Sequence, residues 1–181
     1  MNPNQRYLPA VAANLDHLLR AQMAWICVQG FTAAGAPSHL FAKLCFNALF
    51  NDYISKCAKV FELGRQAASL WYIQRADEAA FLAALDENSE SLDEMRDIAK
   101  RLKHLRDREL MHIDETGVLD REKAWQAAAI DPLQLQHVVS IATLALQRIA
   151  NQNAIHVPKL PRELNGPRAR RIALHLYKYA Q

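Results

Sequence analysis

The stretch from Ser89 to Asp114, SESLDEMRDIAKRLKHLRDRELMHID, contains neither proline nor glycine, and the next helix breaker is Gly117. A run of this length and composition is expected to form one long helix. Ser89 or Ser91 is placed to cap it. Asp93 and Glu94 fall in its first turn, where carboxylates answer the positive end of the helix dipole. At ~100° per residue, Met95, Ile98, Ala99, Leu102 and Leu105 form one stripe that must face a core. The next occupants of that stripe are Arg106, Glu109 and His112, with Ile113 beside them. Charged groups thus take over positions that the pattern assigns to the interior. Leaving a buried charge without its partner costs roughly 3–5 kcal/mol, so this end of the helix either meets charged partners or lines a wet cleft. The conflict between pattern and residue type marks the candidate site.

The rest of the chain repeats the helical period. Leu8, Val11, Leu15, Leu18, Leu19, Gln22, Trp25, Ile26 and Gln29 predict a helix with Pro9 in its first turn. Gly30, Gly35 and Pro37 break the pattern, and Ser38 offers an N-cap for a second helix over 39–63. That helix is apolar around much of its circumference (Leu40, Phe41, Leu44, Phe46, Leu49, Phe50, Tyr53, Ile54, Phe61), so it is expected at the centre of a bundle or against a second subunit. Asp52 interrupts the apolar surface and has two readings, a partner for an Arg of the Ser89 helix or a solvent-facing carboxylate. Residues 65–87 predict shorter helices, the second capped by Asp77. Asp131-Pro132 marks the start of another over 133–151, and 168–179 reads as a basic amphipathic helix. No stretch alternates with period two. The expectation is an all-α, up-and-down bundle of four to five main helices in a single domain over 1–157, with a basic tail or helix over 158–181.

A chain of 181 residues can bury a real core, and 51% apolar residues with five Gly fit a compact helical protein better than a low-complexity one. The net charge of +3 excludes a global polycation. Local basic runs remain: Lys100 to Arg108 holds six Lys, Arg or His, and Arg162 to Arg171 holds four Arg. Such runs suit phosphate-bearing partners, and they equally suit solvated helix faces. Cys27, Cys45 and Cys57 are widely spaced in apolar helical contexts and read as buried hydrophobes in a reducing compartment. The polar N-terminus lacks a signal-peptide layout, and the apolar run over 21–36 is too short for a bilayer, so a cytoplasmic location without membrane contact is expected.

Arg106-Asp107-Arg108-Glu109-Leu110-Met111-His112 resembles the signature of the HEPN superfamily (higher eukaryotes and prokaryotes nucleotide-binding), an Arg followed after four to six residues by His, often with a polar residue directly after the Arg. The surrounding RDRELMHID, with FNALFNDYISKCAKVFEL on a preceding helix, looks like the abortive-infection branch of that superfamily. The likeness in helix order and motif placement covers most of residues 10–150 and leaves out the tail. It implies metal-independent RNA cleavage without a cofactor, or RNA binding by a member that has lost activity, in bacterial anti-phage or toxin–antitoxin defence. It also implies a homodimer in which two motifs face one another across a cleft, and it leaves room for an antitoxin or other regulatory protein. Asp114 stands where the branch regulated by a nucleotidyltransferase antitoxin carries Tyr, so modification at that site is not expected.

The residue chemistry agrees with that implication. Arg106 and His112 lie ~9 Å apart along a helix axis and ~120° apart around it, close enough for both to reach one phosphodiester. Arg106 would neutralise the scissile phosphate, and His112 would move a proton to or from the reacting oxygens. Asp107 could orient a motif side chain and Glu109 could restrain Arg106. Lys103, Arg108 and Arg101 would supply backbone contacts. Simpler readings exist for each: an i,i+3 pair for Arg106 with Glu109, and a core histidine for His112. His112-Ile113-Asp114 is too sparse a ligand set for a metal, and none is expected.

Overall fold

The computed structural model describes residues 4–34, 40–88, 91–106, 126–157, 159–161 and 164–178. Every regular element among them is helical: α1 (Asn4–Ala33), α2 (Leu40–Val60), α3 (Leu70–Ala76), α4 (Glu78–Leu85), a single tight turn over Asp86–Asn88, α5 (Ser91–Leu105), α6 (Pro132–Gln152) and α7 (Gly166–Lys178). The chain is all-α. No described helix is long and apolar enough to cross a membrane.

Local chemistry accounts for several boundaries. Asp77 accepts from the Ala80 amide at 3.0 Å and so starts α4, as expected of an N-cap. Asp131 accepts from the Leu133 amide at 2.9 Å, with Pro132 as the first helical residue of α6. Asn165 does the same for α7, accepting from the Arg168 amide at 2.9 Å. Three boundaries differ from expectation. α1 runs on through Gly30, where the pattern predicts a break, to Ala33. α1 starts at Asn4, which puts the exposed Pro9 in its second turn rather than its first. α2 ends at Val60, four residues before Gly64, because Phe61 closes the last turn and the chain then leaves the helix axis. The proposed caps at Ser38 and Ser89 lie outside the described residues.

The chain forms two compact units. The first comprises Met1–Leu18 and Cys57–Val157, the second Leu19–Lys56 and Pro158–Gln181, so α1 and α2 each contribute to both. In the first unit α4 packs on α6 and α3, and α5 packs on α6. Phe81, Leu85, Met95, Ile98, Leu102, Leu135, Val138, Ala142, Leu146 and Ile149 are sealed from solvent there. Polar ties fasten its non-helical backbone. The Trp71 indole donates to the Phe61 carbonyl at 3.1 Å, and the buried Asn14 amide donates to the carbonyls of Ala10 (2.8 Å) and Ala68 (2.5 Å). The Phe61 and Ala68 carbonyls lie in the connection between α2 and α3, which cannot pair them within a helix.

In the second unit a small core of Phe31, Ala42 and Ala173 is flanked by Ala34, Cys45, Phe46 and Leu49. The Trp25 and Tyr53 rings lie 5.0 Å apart, and Phe46 stacks on Phe50 at 6.2 Å. Gly30 of α1 meets α7 so closely that a Cβ there would lie 2.7 Å from the Ala169 backbone. Only a residue without a side chain allows this approach.

Candidate functional site

The apolar stripe of α5 is buried along its whole length: Met95, Ile98, Ala99, Leu102 and Leu105 are each at most 1% exposed. Arg106, the next residue, keeps 22% of its side chain accessible and forms an ion pair with Glu62, itself 23% accessible. The stripe therefore ends in a charge that has met a partner, as its residue types require. Glu62 lies two residues beyond α2, beside the buried Phe61 whose carbonyl holds the Trp71 indole. The carboxylate facing Arg106 thus stands on a fastened stretch of backbone. A guanidinium carries five N–H donors, and Nη1 gives one of them to the Glu62 carboxylate.

The remaining candidates divide clearly. Lys103 is exposed on α5. Arg101 binds Asp97 one turn back at 2.6 Å and donates to the Ala129 carbonyl at 2.6 Å, a tie between α5 and the segment preceding α6. Asp52 is exposed and pairs with Lys56 on its own helix at 3.6 Å, in line with the solvent-facing reading. Asp107, Arg108, Glu109 and His112 lie outside the described residues, as does Asp114. Farther up α5, Arg96 pairs with Asp93 and lies over the Trp71 ring, 5.8 Å from its centroid.

Glu62 was the residue that reading the sequence missed. It is 44 positions from Arg106 and occupies no periodic position. The signal available was indirect: a half-buried Arg at the end of an oily stripe demands a carboxylate, and Glu62 follows an apolar helix expected to lie beside it. Among the described residues, no group of three or more His, Cys, Asp or Glu could hold a metal ion. The three cysteines are free, and burial raises the Cys27 thiol above its ordinary range, which lowers its thiolate content at neutral pH. No protein-family model matches the chain, and neither does any curated protein or solved structure.

Proposed function

We propose that this protein is an RNA-directed effector of HEPN type, a metal-independent endoribonuclease whose fold is an up-and-down helical bundle. Its setting is the bacterial cytoplasm, in abortive-infection or toxin–antitoxin defence, and it works as a homodimer with a composite site, open to control by an antitoxin. The observation that carries the reading is Arg106, a half-buried guanidinium at the end of the α5 core stripe, held by Glu62. A Leu would extend the stripe without the cost of desolvating a charge, and holding a phosphate is the use that we assign to the charge kept there.

In the reaction, the ribose 2′-OH attacks the adjacent phosphorus as its proton passes to a base. The P–O5′ bond breaks, and the 5′-oxygen takes a proton from an acid. The products are a 2′,3′-cyclic phosphate and a 5′-OH. Arg106 stabilises the charge that builds on the non-bridging oxygens, and His112 serves in proton transfer. Asp107 orients a motif side chain and Glu109 restrains Arg106, and Lys103 and Arg108 follow the backbone, while Arg101 stays engaged with Asp97 and the Ala129 carbonyl.

The test is incubation of the purified protein with RNA in EDTA. Wild type is expected to cleave and leave cyclic phosphate ends, while Arg106→Ala and His112→Ala, folded as wild type by circular dichroism, each lose at least ~100-fold in rate. Cleavage that survives both substitutions would refute the assignment. The Glu62 contact also favours a second reading, a silent module in which Arg106 serves the fold and the same face binds RNA or protein. Binding without cleavage by wild type is its signature.

A further inference from the structure

We propose that α7 and the groove beside it form a second, single-stranded RNA-binding surface, in which Arg170 and Arg171 hold phosphates and Leu174 and Pro167 floor a slot for a base. The choice of RNA as the polyanion rests on the function proposed above. The surface itself rests on three observations within the second unit.

Charge is the first. Residues 158–181 hold six Lys or Arg against one acidic residue, Glu163, which leaves the other 157 residues with 16 basic against 18 acidic. The positive charge of the protein is thus carried by its tail, the pattern of a polyanion contact. Concavity is the second. Gln29, Gly30 and Ala33 of α1 and Gly166, Pro167, Arg170, Arg171 and Leu174 of α7 line a groove of about 530 Å³, within the usual range of ligand sites. Gly166, Arg170 and Leu174 recur every fourth residue along one side of α7, and the stretch from 166 to 174 spans about 12 Å. Its positive potential comes from side chains, because the Asn165 side-chain and backbone oxygens already occupy the Arg168 and Ala169 amides at the helix start.

The third observation selects the kind of polyanion. A basic helix that lies in a bilayer surface needs a broad free face of large apolar side chains. The inner edge of α7 is instead Ala169, fitted to Gly30, and Ala173, packed with Phe31 and Ala42. That edge is already covered. Among the described side chains, Arg168, Arg170 and Arg171 are exposed, with Ile172 and Leu174 as the exposed large apolar groups. A flexible single strand can place a base on the groove floor while its phosphates meet the arginines, a division of labour common in single-strand binding.

Fluorescence anisotropy of a labelled, unstructured 2′-O-methyl RNA of about 12 nucleotides, which lacks the attacking hydroxyl, in EDTA and over a salt series, tests this on the full chain. Arg170→Glu/Arg171→Glu, both on exposed positions, is expected to weaken binding at least ~10-fold at 0.1 M salt and to reduce the salt slope by about 1.4, the share of two phosphates on a single strand. Leu174→Asn is expected to weaken binding several-fold with the slope unchanged. Binding by the double variant equal to wild type overturns the proposal, as does wild-type association with phosphatidylserine vesicles but not with RNA. Wild-type binding through α7 without any cleavage would refute the nuclease and leave this surface standing. Cleavage and binding both untouched by the double variant would do the reverse.

Discussion

Glu62 and Arg106 form the charge pair on which the candidate site depends, and their half-buried setting makes it measurable. Exposed pairs contribute at most about 1 kcal/mol, and breaking buried ones costs roughly 3–5 kcal/mol, which places Glu62→Ala near 1–2 kcal/mol of lost stability. A double-mutant cycle with Arg106→Ala should return a coupling of about 1 kcal/mol by urea unfolding, and strict additivity would mean the contact has no energetic role. In the reaction we propose, Glu62 acts as a positioning residue. Glu62→Ala is expected to lower cleavage about tenfold and Glu62→Gln, which still accepts from the guanidinium, to recover most of it.

Tyr7 gives a pH signature at the same scale. Its buried hydroxyl has no hydrogen-bond partner among the described residues, and burial, then the Asp77 carboxylate, raises its pKa above 10.0. The neutral phenol is favoured in the folded state. Its contribution to stability is therefore complete below the unfolded-state pKa and is lost as pH rises from there through the folded-state pKa. Tyr7→Phe should change stability by less than about 0.5 kcal/mol at pH 7, since it removes a hydroxyl that is already unpaired. It should also flatten the decline of stability above pH 10. Chemical melts at pH 7 and 10.5 decide this, and an unchanged alkaline slope would assign the titration elsewhere.

Among the elements, the junction of α1 with α7 is the most sensitive to a single methyl group. Gly30→Ala raises helix propensity by up to ~1 kcal/mol, yet the new Cβ would stand 2.7 Å from the backbone of Ala169. Backbone cannot rotate aside as a side chain does. The steric effect should dominate, with a net loss of about 1–3 kcal/mol and hydrogen-exchange protection falling first in α7. A stabilised Gly30→Ala protein would mean that α7 does not seat there. The same element separates what was legible from what was not. The basic amphipathic pattern placed a helix over 168–179, and Gly166–Lys178 is helical. Its seat against Gly30 was not legible, because Gly30 read as a break in α1 when it is a close-contact position inside that helix. Glycine marks both situations, and sequence offers no local cue to choose between them.

For the molecule as a whole, the composite site we propose requires two copies of the chain. Light scattering at micromolar concentration should give twice the 20.5 kDa chain mass. Mixing Arg106→Ala with His112→Ala is a further check, since a shared cleft would contain one intact set of groups. A monomer with undiminished cleavage would eliminate the shared cleft.

The sequence by itself determined the all-α class, most of the helix positions, the caps at Asp77 and Asp131 and the buried stripe of α5. Each depends on interactions within about one helical turn: a 3.6-residue period, a side-chain oxygen two or three residues from an amide, a breaker at a boundary. Only the tertiary structure decided that Glu62 meets Arg106, that Asn14 holds the Ala68 carbonyl 54 residues away and that Gly30 admits Ala169. Those contacts depend on how separate helices pack, and no local spacing encodes which side chain will lie opposite another once they do.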